Sequence, residues 1–222
     1  MSLILNIDTA VQTASVCLSR DGENMGLKIN PSQKDHAAWL HIAINDLLQQ
    51  HSLSLSSLDA IAVSAGPGSY TGLRVGMATA KGLCYALNLP LITVGTLQMM
   101  AMAAVDEPTD LLCPMIDARR MEVFTATYNK SLTEVILPSN IILTETYLLD
   151  LLENNTITFF GNGSTKFLKL INNNNAIFKQ LDATAEHLAK LSNTFFIQQK
   201  FSDLAYSEPF YGKEFYSPAH NV

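Results

Sequence analysis

The segment SAGPGSYTGLRVGMATAKGLCYAL, residues 64–87, has three glycines in its first half and then the apolar spacing of a helix. Glycine-rich loops between a strand and a helix often present backbone N–H groups to a phosphate. A P-loop also needs a lysine and then a serine or threonine directly after its last glycine. Here Gly72 is followed by Leu73 and Arg74. The segment therefore does not contain a P-loop.

We interpret these glycines as packing residues. Gly66, Gly68 and Gly72 permit a compact turn from strand to helix, because glycine has no Cβ. Gly76 and Gly82 would keep one side of the following helix thin, so that another helix can approach closely. The alternative for Gly76 is a helix that lies closely on its own sheet.

The patterns around this segment predict a sheet flanked by helices. A turn at 20–22 joins two of three short β-type segments, and Ser32 is the expected N-cap of the helix that follows them, with Asp35 three residues on. Three strands followed by alternating helices and strands are typical of a mixed α/β sheet. Strands are predicted at 3–7, 14–18, 25–29, 58–64 and 90–94, and helices at 33–50, 71–87 and 96–104.

A polar stretch at 106–110 interrupts the periodicity and is the candidate domain boundary. Beyond it, strands are predicted at 111–116, 122–128 and 157–160, and helices at 145–153 and 184–198. We therefore expect an N-terminal domain at 1–107 and a smaller domain at 108–222.

The composition excludes several classes of protein. The 222 residues are 48% hydrophobic and carry a formal net charge of −6, with no run of Lys or Arg. Such a chain folds, but it has no basic footprint with which to hold a nucleic acid alone. It also has no apolar stretch long enough to span a membrane and no signal-peptide pattern, and we expect it to be cytoplasmic.

The predicted helix at 33–50 has apolar residues on two sides. Its main stripe faces one way, while Trp39 and Ile42 project from nearly the opposite side. A helix of this kind needs two covers, of which one is the chain's own sheet and the other a partner or a second copy. The stripe consists of Ala37, Leu40, Ile44, Leu47 and Leu48.

Four segments in this order resemble the TsaB family, also called YeaZ. TsaB is the bacterial companion subunit of the tRNA threonylcarbamoyladenosine machinery and a relative of the actin, Hsp70 and sugar-kinase ATPases. The resemblance implies two RNase H-like domains with mixed sheets flanked by helices, the second domain reduced. The segments are ILNIDTAVQTASVCL, SAGPGSYTGLRVGMATAKGL, IDARRMEVFTATY and FFGNGSTKF.

The resemblance also implies a non-catalytic subunit that works with a TsaD-like catalytic paralogue and a TsaE-like ATPase. It implies that tRNA is contacted only through the complex, and we expect a homodimer when the chain is alone. The catalytic relative carries a His-x-x-x-His pair for its metal, whereas the corresponding stretch 94–100 has neither histidine nor carboxylate. We therefore predict no catalytic residue and no metal site.

The superfamily's phosphate-binding turns are altered in this chain. Ala10 stands where a glycine would let backbone N–H groups approach a phosphate, and Asn162 cannot supply a carboxylate. We expect no cofactor on the chain alone, and ATP or ADP only weakly or in the complex. Asp8 and Thr9 are candidates for a vestigial nucleotide contact, with a purely structural role for Asp8 as the alternative.

The helix at 33–50 with its two apolar sides and the glycine-thinned helix at 71–87, together with the resemblance, predict a partner surface. Two alternatives remain: an independent kinase-like ATPase, or a peptidase, for which the sequence has no His-Glu-x-x-His or Ser/His/Asp pattern. The segment 209–213 departs from the family's usual ending. The candidate contact residues are Trp39, Leu73, Arg74, Met77 and Lys81.

Overall fold

The computed structural model describes residues 1–30 and 35–212. The first half of the chain contains a short 3₁₀ turn at Leu55–Ser57. Its strands and helices are β1 (Leu3–Asp8), β2 (Ala14–Arg20), β3 (Glu23–Asn30), α1 (His36–Gln50), β4 (Ala60–Ser64), α2 (Tyr70–Leu87), β5 (Leu91–Val94) and α3 (Thr96–Ala103).

The helices of the second half are shorter than those of the first half until α6. Its elements are β6 (Leu111–Asp117), β7 (Glu122–Asn129), β8 (Glu134–Ile142), α4 (Leu149–Leu152), β9 (Ile157–Phe160), α5 (Ser164–Leu168), β10 (Ala176–Phe178) and α6 (Ala185–Ile197). Within the described residues, no helix is both long and apolar enough to cross a membrane.

The two halves repeat one sheet topology. The first sheet has the strand order β3-β2-β1-β4-β5, and the second has the order β10-β9-β6-β7-β8. In each sheet, three antiparallel strands form a meander, and the next two strands are added in parallel on its other side. The predicted α/β fold of two mixed sheets flanked by helices is confirmed.

The first sheet is covered on both faces, which explains why β1 and β4 are buried along their whole length. Helices α1 and α2 pack on one face of it, and α6 packs on the other face against β1, β2 and β5. Helix α3 contacts α6, β6 and β7, so an apolar layer connects the two sheets. The outer face of the second sheet is closed by α4, α5 and the loops around them.

Helix α6 is tied to the first sheet by buried polar contacts. The Ser192 hydroxyl donates to Asn6 Oδ1 at 2.6 Å, and the Ala185 N–H donates to the Ser15 hydroxyl at 2.8 Å. The Asn6 amide group in turn donates to the Ser19 hydroxyl at 2.9 Å. Because buried polar groups require such partners, these bonds fix the position of α6 on the sheet.

The chain passes from one sheet to the other between α3 and β6, where the polar stretch 106–110 lies. The division into domains at 1–107 and 108–222 stays a prediction, since α6 belongs to the second half in sequence but packs on the first sheet.

Two strands, two short helices and one helix start differ from the sequence-based expectations. The helix expected at 145–153 is limited to the four residues of α4, and α5 was not predicted. Strand β8 is a half-exposed edge strand that contains Pro138, and β10 has only three residues, so neither has a strong β pattern. Helix α1 begins at His36, with Asp35 as its N-cap residue at φ 66° and no side-chain capping bond. The predicted cap Ser32 lies outside the described residues.

Candidate partner surface and the cleft between the sheets

The glycine-rich loop packs backbone against backbone on the turn between β1 and β2. A Cβ at Gly68 would collide with the Ala10 carbonyl oxygen, and a Cβ at Gly72 would collide with the Thr9 carbonyl oxygen. The Thr9 hydroxyl donates to the Gly72 carbonyl oxygen at 2.6 Å, and the Ser69 N–H donates to the Ala10 carbonyl oxygen at 2.7 Å. These glycines therefore allow the start of α2 to lie directly on that turn.

Asp8 stabilises the same turn through hydrogen bonds. Its Oδ1 accepts hydrogen bonds from the Ser64 hydroxyl at 2.5 Å and from the Ala10 N–H at 3.0 Å. Its Oδ2 has no hydrogen-bond partner in the part of the chain that the structure describes. Burial raises the pKa of Asp8 to about 6, and the bonds from Ser64 and Ala10 oppose that rise.

The predicted nucleotide contact at Asp8 and Thr9 needs correction. The two residues are 0% and 1% exposed, and neither lines the cleft between the sheets. Their side chains are used to hold the turn and the glycine-rich loop together. The geometry supports the structural alternative for Asp8.

A cleft of about 1070 Å³ lies between the two sheets. Ala10 and Ser69 contribute to its wall from the first half of the chain, and Asp117, Arg119 and Asn162 contribute from the second half. The β1–β2 turn and Asn162, which the sequence analysis identified as altered phosphate-binding turns, both border this cleft.

The Asp117 carboxylate in this cleft is already neutralised. Its Oδ1 accepts hydrogen bonds from Lys166 Nζ at 2.7 Å and from the Arg119 N–H at 2.6 Å. Burial acts to raise the pKa of Asp117, but the Lys166 and Arg119 contacts outweigh it and hold the pKa below its usual range. The Asp117 N–H also donates to Asn162 Oδ1 at 2.9 Å. These contacts brace the wall of the cleft.

The backbone donor of the phosphate hairpin is not free in this cleft. The Ala10 N–H, which a phosphate hairpin would present to its ligand, donates to Asp8 instead. Among residues 1–30 and 35–212, no three His, Cys, Asp or Glu side chains converge on a point where a metal ion could bind. The expected absence of a metal and of a catalytic residue stays a prediction.

Two of the five predicted contact residues lie in the core. Leu73 and Met77 are 1% and 4% exposed, on the face of α2 that packs against β4. Gly76 lies on this face too, and a Cβ there would be 3.4 Å from Val63 Cγ2. The prediction that Leu73 and Met77 contact a partner is wrong, because this face of α2 is covered by the chain's own sheet. The alternative interpretation of Gly76 is the correct one.

The outward face of α2 is made of different residues. Arg74, Ala78, Gly82 and Tyr85 are exposed at helical spacing, and Tyr85 has 83% of its surface exposed. A Cβ at Gly82 would meet no atom within 4 Å. This face is thin in its middle, and the approach of another helix to it stays a prediction.

A C-terminal segment, residues 202–212, runs along α2 and is called the strap below. Lys81 Nζ donates to the carbonyl oxygens of Ala205 and Ser207 at 3.1 and 2.8 Å. Arg74 Nε donates to the Tyr211 hydroxyl at 3.1 Å. The Arg74 guanidinium also lies over the Tyr70 ring, 3.9 Å from its centroid. Two predicted contact residues are therefore bonded to the chain's own C-terminal segment.

The strap also explains the first glycine of the loop. Gly66 has φ +109°, and a Cβ there would collide with the carbonyl oxygen of Phe210. Sequence reasoning missed this contact because no local pattern links residues that lie 144 positions apart in the chain. The segment 209–213 was noted only for its departure from the family pattern, and Lys213 lies outside the described residues.

The remaining predicted contact residue, Trp39, is half-buried on α1 and packs against the core between α1, α2 and the first sheet. Its neighbour Ile42 is 63% exposed. The buried stripe of α1 contains Leu40 and Ile44 as predicted, but Ala37 is exposed. Helix α1 therefore has a core face and a partly apolar outer side.

Comparisons with known proteins give one consistent family. The sequence model of the TsaD family, tRNA N6-adenosine threonylcarbamoyltransferase, matches residues 26–210. The tRNA threonylcarbamoyladenosine biosynthesis protein TsaB of Bacillus subtilis is 30% identical over 171 residues, which are 76% of this chain and 74% of that protein. Escherichia coli TsaB is 38% identical over 130 residues, which are 57% of this chain and 55% of that protein.

Solved structures agree with these sequence matches. YeaZ from Pseudomonas aeruginosa has a TM-score of 0.80 at 25% identity, over 95% of this chain and 100% of that one. A Pseudomonas aeruginosa protein described as similar to the peptidase YeaZ has a TM-score of 0.83 at 26% identity, over 96% and 100% of the two chains. The chain therefore belongs to the TsaB family, within the TsaD-related proteins.

Proposed function

We propose that this chain is a companion subunit in the biosynthesis of threonylcarbamoyladenosine, the modified adenosine next to the tRNA anticodon. In this proposal it does not transfer the threonylcarbamoyl group itself. The observation that carries the proposal is family membership combined with a cleft in which the Asp117 carboxylate is paired with Lys166 and the Ala10 N–H with Asp8. A carboxylate and a backbone donor that are committed to internal contacts are poorly placed to act in group transfer.

The proposed partners are a TsaD-like catalytic paralogue and a TsaE-like ATPase, with tRNA reached only through the complex. The net charge of −6 supports an indirect contact with tRNA, because phosphate contacts dominate affinity for nucleic acids. ATP or ADP would bind weakly or only in the complex. We further propose that the chain pairs with a second copy when the paralogue is absent, and that it acts in the cytoplasm.

The proposed partner surface is the outer side of α1 and α2. Trp39 and Ile42 contribute apolar area from α1, and Arg74, Lys81 and Tyr85 border the thin part of α2. Aromatic and Arg side chains carry a large share of the binding energy in protein interfaces. Leu73 and Met77 would act only indirectly, by fixing α2 on the sheet.

Reconstitution with purified proteins tests this function. Paralogue, ATPase and tRNA together should form threonylcarbamoyladenosine only when this chain is added, and this chain with tRNA and substrates alone should form none. Trp39→Ala should weaken binding of the paralogue by about 2 kcal/mol if this residue is central to the interface. Leu137→Ala, an exposed apolar residue on β8, is the control and should bind normally. Modification by this chain alone would overturn the proposal.

The alternative functions are an independent kinase-like ATPase and a peptidase. The name of one structural relative mentions a peptidase, but no arrangement of described residues favours peptide hydrolysis in this chain. ATP turnover by the purified chain that disappears in an Asp117→Asn variant would favour the ATPase instead.

A further inference from the structure

The strap is fixed to the first sheet at both of its ends. At one end the Ser202 N–H donates to the Leu91 carbonyl oxygen at 2.8 Å, which adds a bridge to edge strand β5. At the other end the Phe210 N–H donates to the Ala65 carbonyl oxygen at 2.7 Å, next to the glycine-rich loop. Between these ends Lys81 holds the strap on α2, and just beyond Phe210 Arg74 holds it through Tyr211.

The bonds from α2 to the strap join cations to neutral groups. Lys81 donates to two backbone carbonyl oxygens of the strap, and Arg74 donates to the phenol of Tyr211 while lying over the ring of Tyr70, which belongs to α2 itself. In the described part of the chain, the ion pairs within 4.0 Å involve Lys166 and Lys179, so neither Arg74 nor Lys81 has a carboxylate partner there. In a chain of net charge −6, these two cations on one helix face remain unneutralised.

Carboxylates would offer these cations an opposite charge that the strap's carbonyl and phenol oxygens lack. The bonds to the strap are charge-assisted by the cation alone, whereas a carboxylate adds a Coulombic attraction, and Arg binds it through two parallel bonds. Ala78 and Gly82 leave room on the same helix for a partner to come close to both cations. The surface therefore has the charge and the shape for an acidic protein segment.

We propose that the strap is a displaceable cover of α2, and that carboxylates of the catalytic paralogue replace its neutral groups at Arg74 and Lys81. The proposal rests on the proposed function, because it assigns the partner, and it adds regulation of the same surface. The strap and the paralogue then compete for α2, so that a looser strap gives tighter binding of the paralogue.

The isolated chain gives the first test, by amide hydrogen exchange. The Phe210 N–H should exchange faster than the N–H groups of β1 and β4, because the strap opens without unfolding of the first sheet. Tyr211→Ala should accelerate exchange at Phe210 further and leave β1 unchanged. If the N–H groups of the strap exchange only at the rate of those in β1, in both the natural chain and the variant, the proposal is overturned.

The second test measures binding of the paralogue, and it is decided by whether Tyr211→Ala tightens or weakens that binding. Tyr211→Ala should tighten binding about two- to fivefold, since it removes the ring contact with Tyr70 and the hydrogen bond from Arg74 that hold the strap on α2. Tyr211→Phe is the matched control and should have a smaller effect, because it keeps the ring and loses only the hydroxyl.

Three other results have distinct meanings. Weaker binding by Tyr211→Ala would show that the strap is part of the interface and would overturn the competition. Affinity of the natural chain that does not fall with added salt would overturn the assignment of carboxylates. If the paralogue binds neither the natural chain nor any variant, the proposed function and the proposed competition are both overturned. The exchange test then still decides whether the strap opens.

Discussion

At the scale of single residues, Asp8 makes the stability of the fold depend on pH. It is fully buried, and burial raises its pKa from 3.8 to about 6. Between these pH values the folded chain binds more protons at this site than the unfolded chain does. The free energy of unfolding should therefore decrease as pH rises from about 4 to about 6, by about 3 kcal/mol from this residue. Urea unfolding of the natural chain and of Asp8→Asn, across pH 4 to 8, measures this contribution as the difference between the two.

A difference that stays constant across this range would contradict a raised pKa. Ser64→Ala is a second variant, for which the direction of the change in the pKa of Asp8 follows from the structure. The Ser64 hydroxyl lowers the pKa of Asp8 by its hydrogen bond. Its removal should extend the pH-dependent range to higher pH.

Predictions from the sequence were least reliable for the positions of single residues. The apolar periodicity of α2 correctly indicates a helix, but it does not say which side faces the sheet. Leu73 and Met77 follow Gly72 and Gly76, and all four lie on the buried side because the glycines let the helix approach the β1–β2 turn. Only the three-dimensional position of Thr9 and Ala10 shows this.

At the scale of elements, the glycines of α2 fall into two classes that a pair of variants can separate. Gly72→Ala should destabilise the chain by about 3 kcal/mol or more, because its Cβ would collide with the Thr9 carbonyl oxygen. Gly82→Ala should stabilise it by about 1 kcal/mol, since this position is open and Ala has the higher helix propensity. Chemical unfolding of both variants against the natural chain checks the prediction. A loss of stability at Gly82 as large as that at Gly72 would contradict it.

The elements themselves were largely predictable, for physical reasons. Strands β1, β4 and β6 are buried apolar runs bounded by polar residues, and they are found close to their expected bounds. Edge strand β8 was missed, because half-exposed residues carry little alternation and its pairing with β7 is interrupted by register shifts. The strap was missed for another reason: it has no periodic structure, and its partners are distant in sequence.

At the scale of the whole molecule, the two sheets exchange elements. Helix α3 precedes the predicted boundary and contacts β6 and β7, whereas α6 follows it and covers the first sheet. The strap also follows the boundary and adds a bridge to β5. A division at 107/108 would therefore remove α6 and the strap from the sheet that they cover.

We predict that the fragment 1–107 does not fold by itself. Without α6, the apolar side chains of β1 and β4 that face Leu188 and Leu191 are exposed to water, and Asn6 loses the hydrogen bond from Ser192. The fragment should show no cooperative thermal transition, whereas the whole chain should unfold in one. Circular dichroism during heating measures both. The control is the same fragment joined through a flexible linker to residues 181–212, which should regain a cooperative transition because these residues contain α6 and the strap. Cooperative unfolding of 1–107 alone would show that the first domain is independent and that α6 is dispensable for its fold.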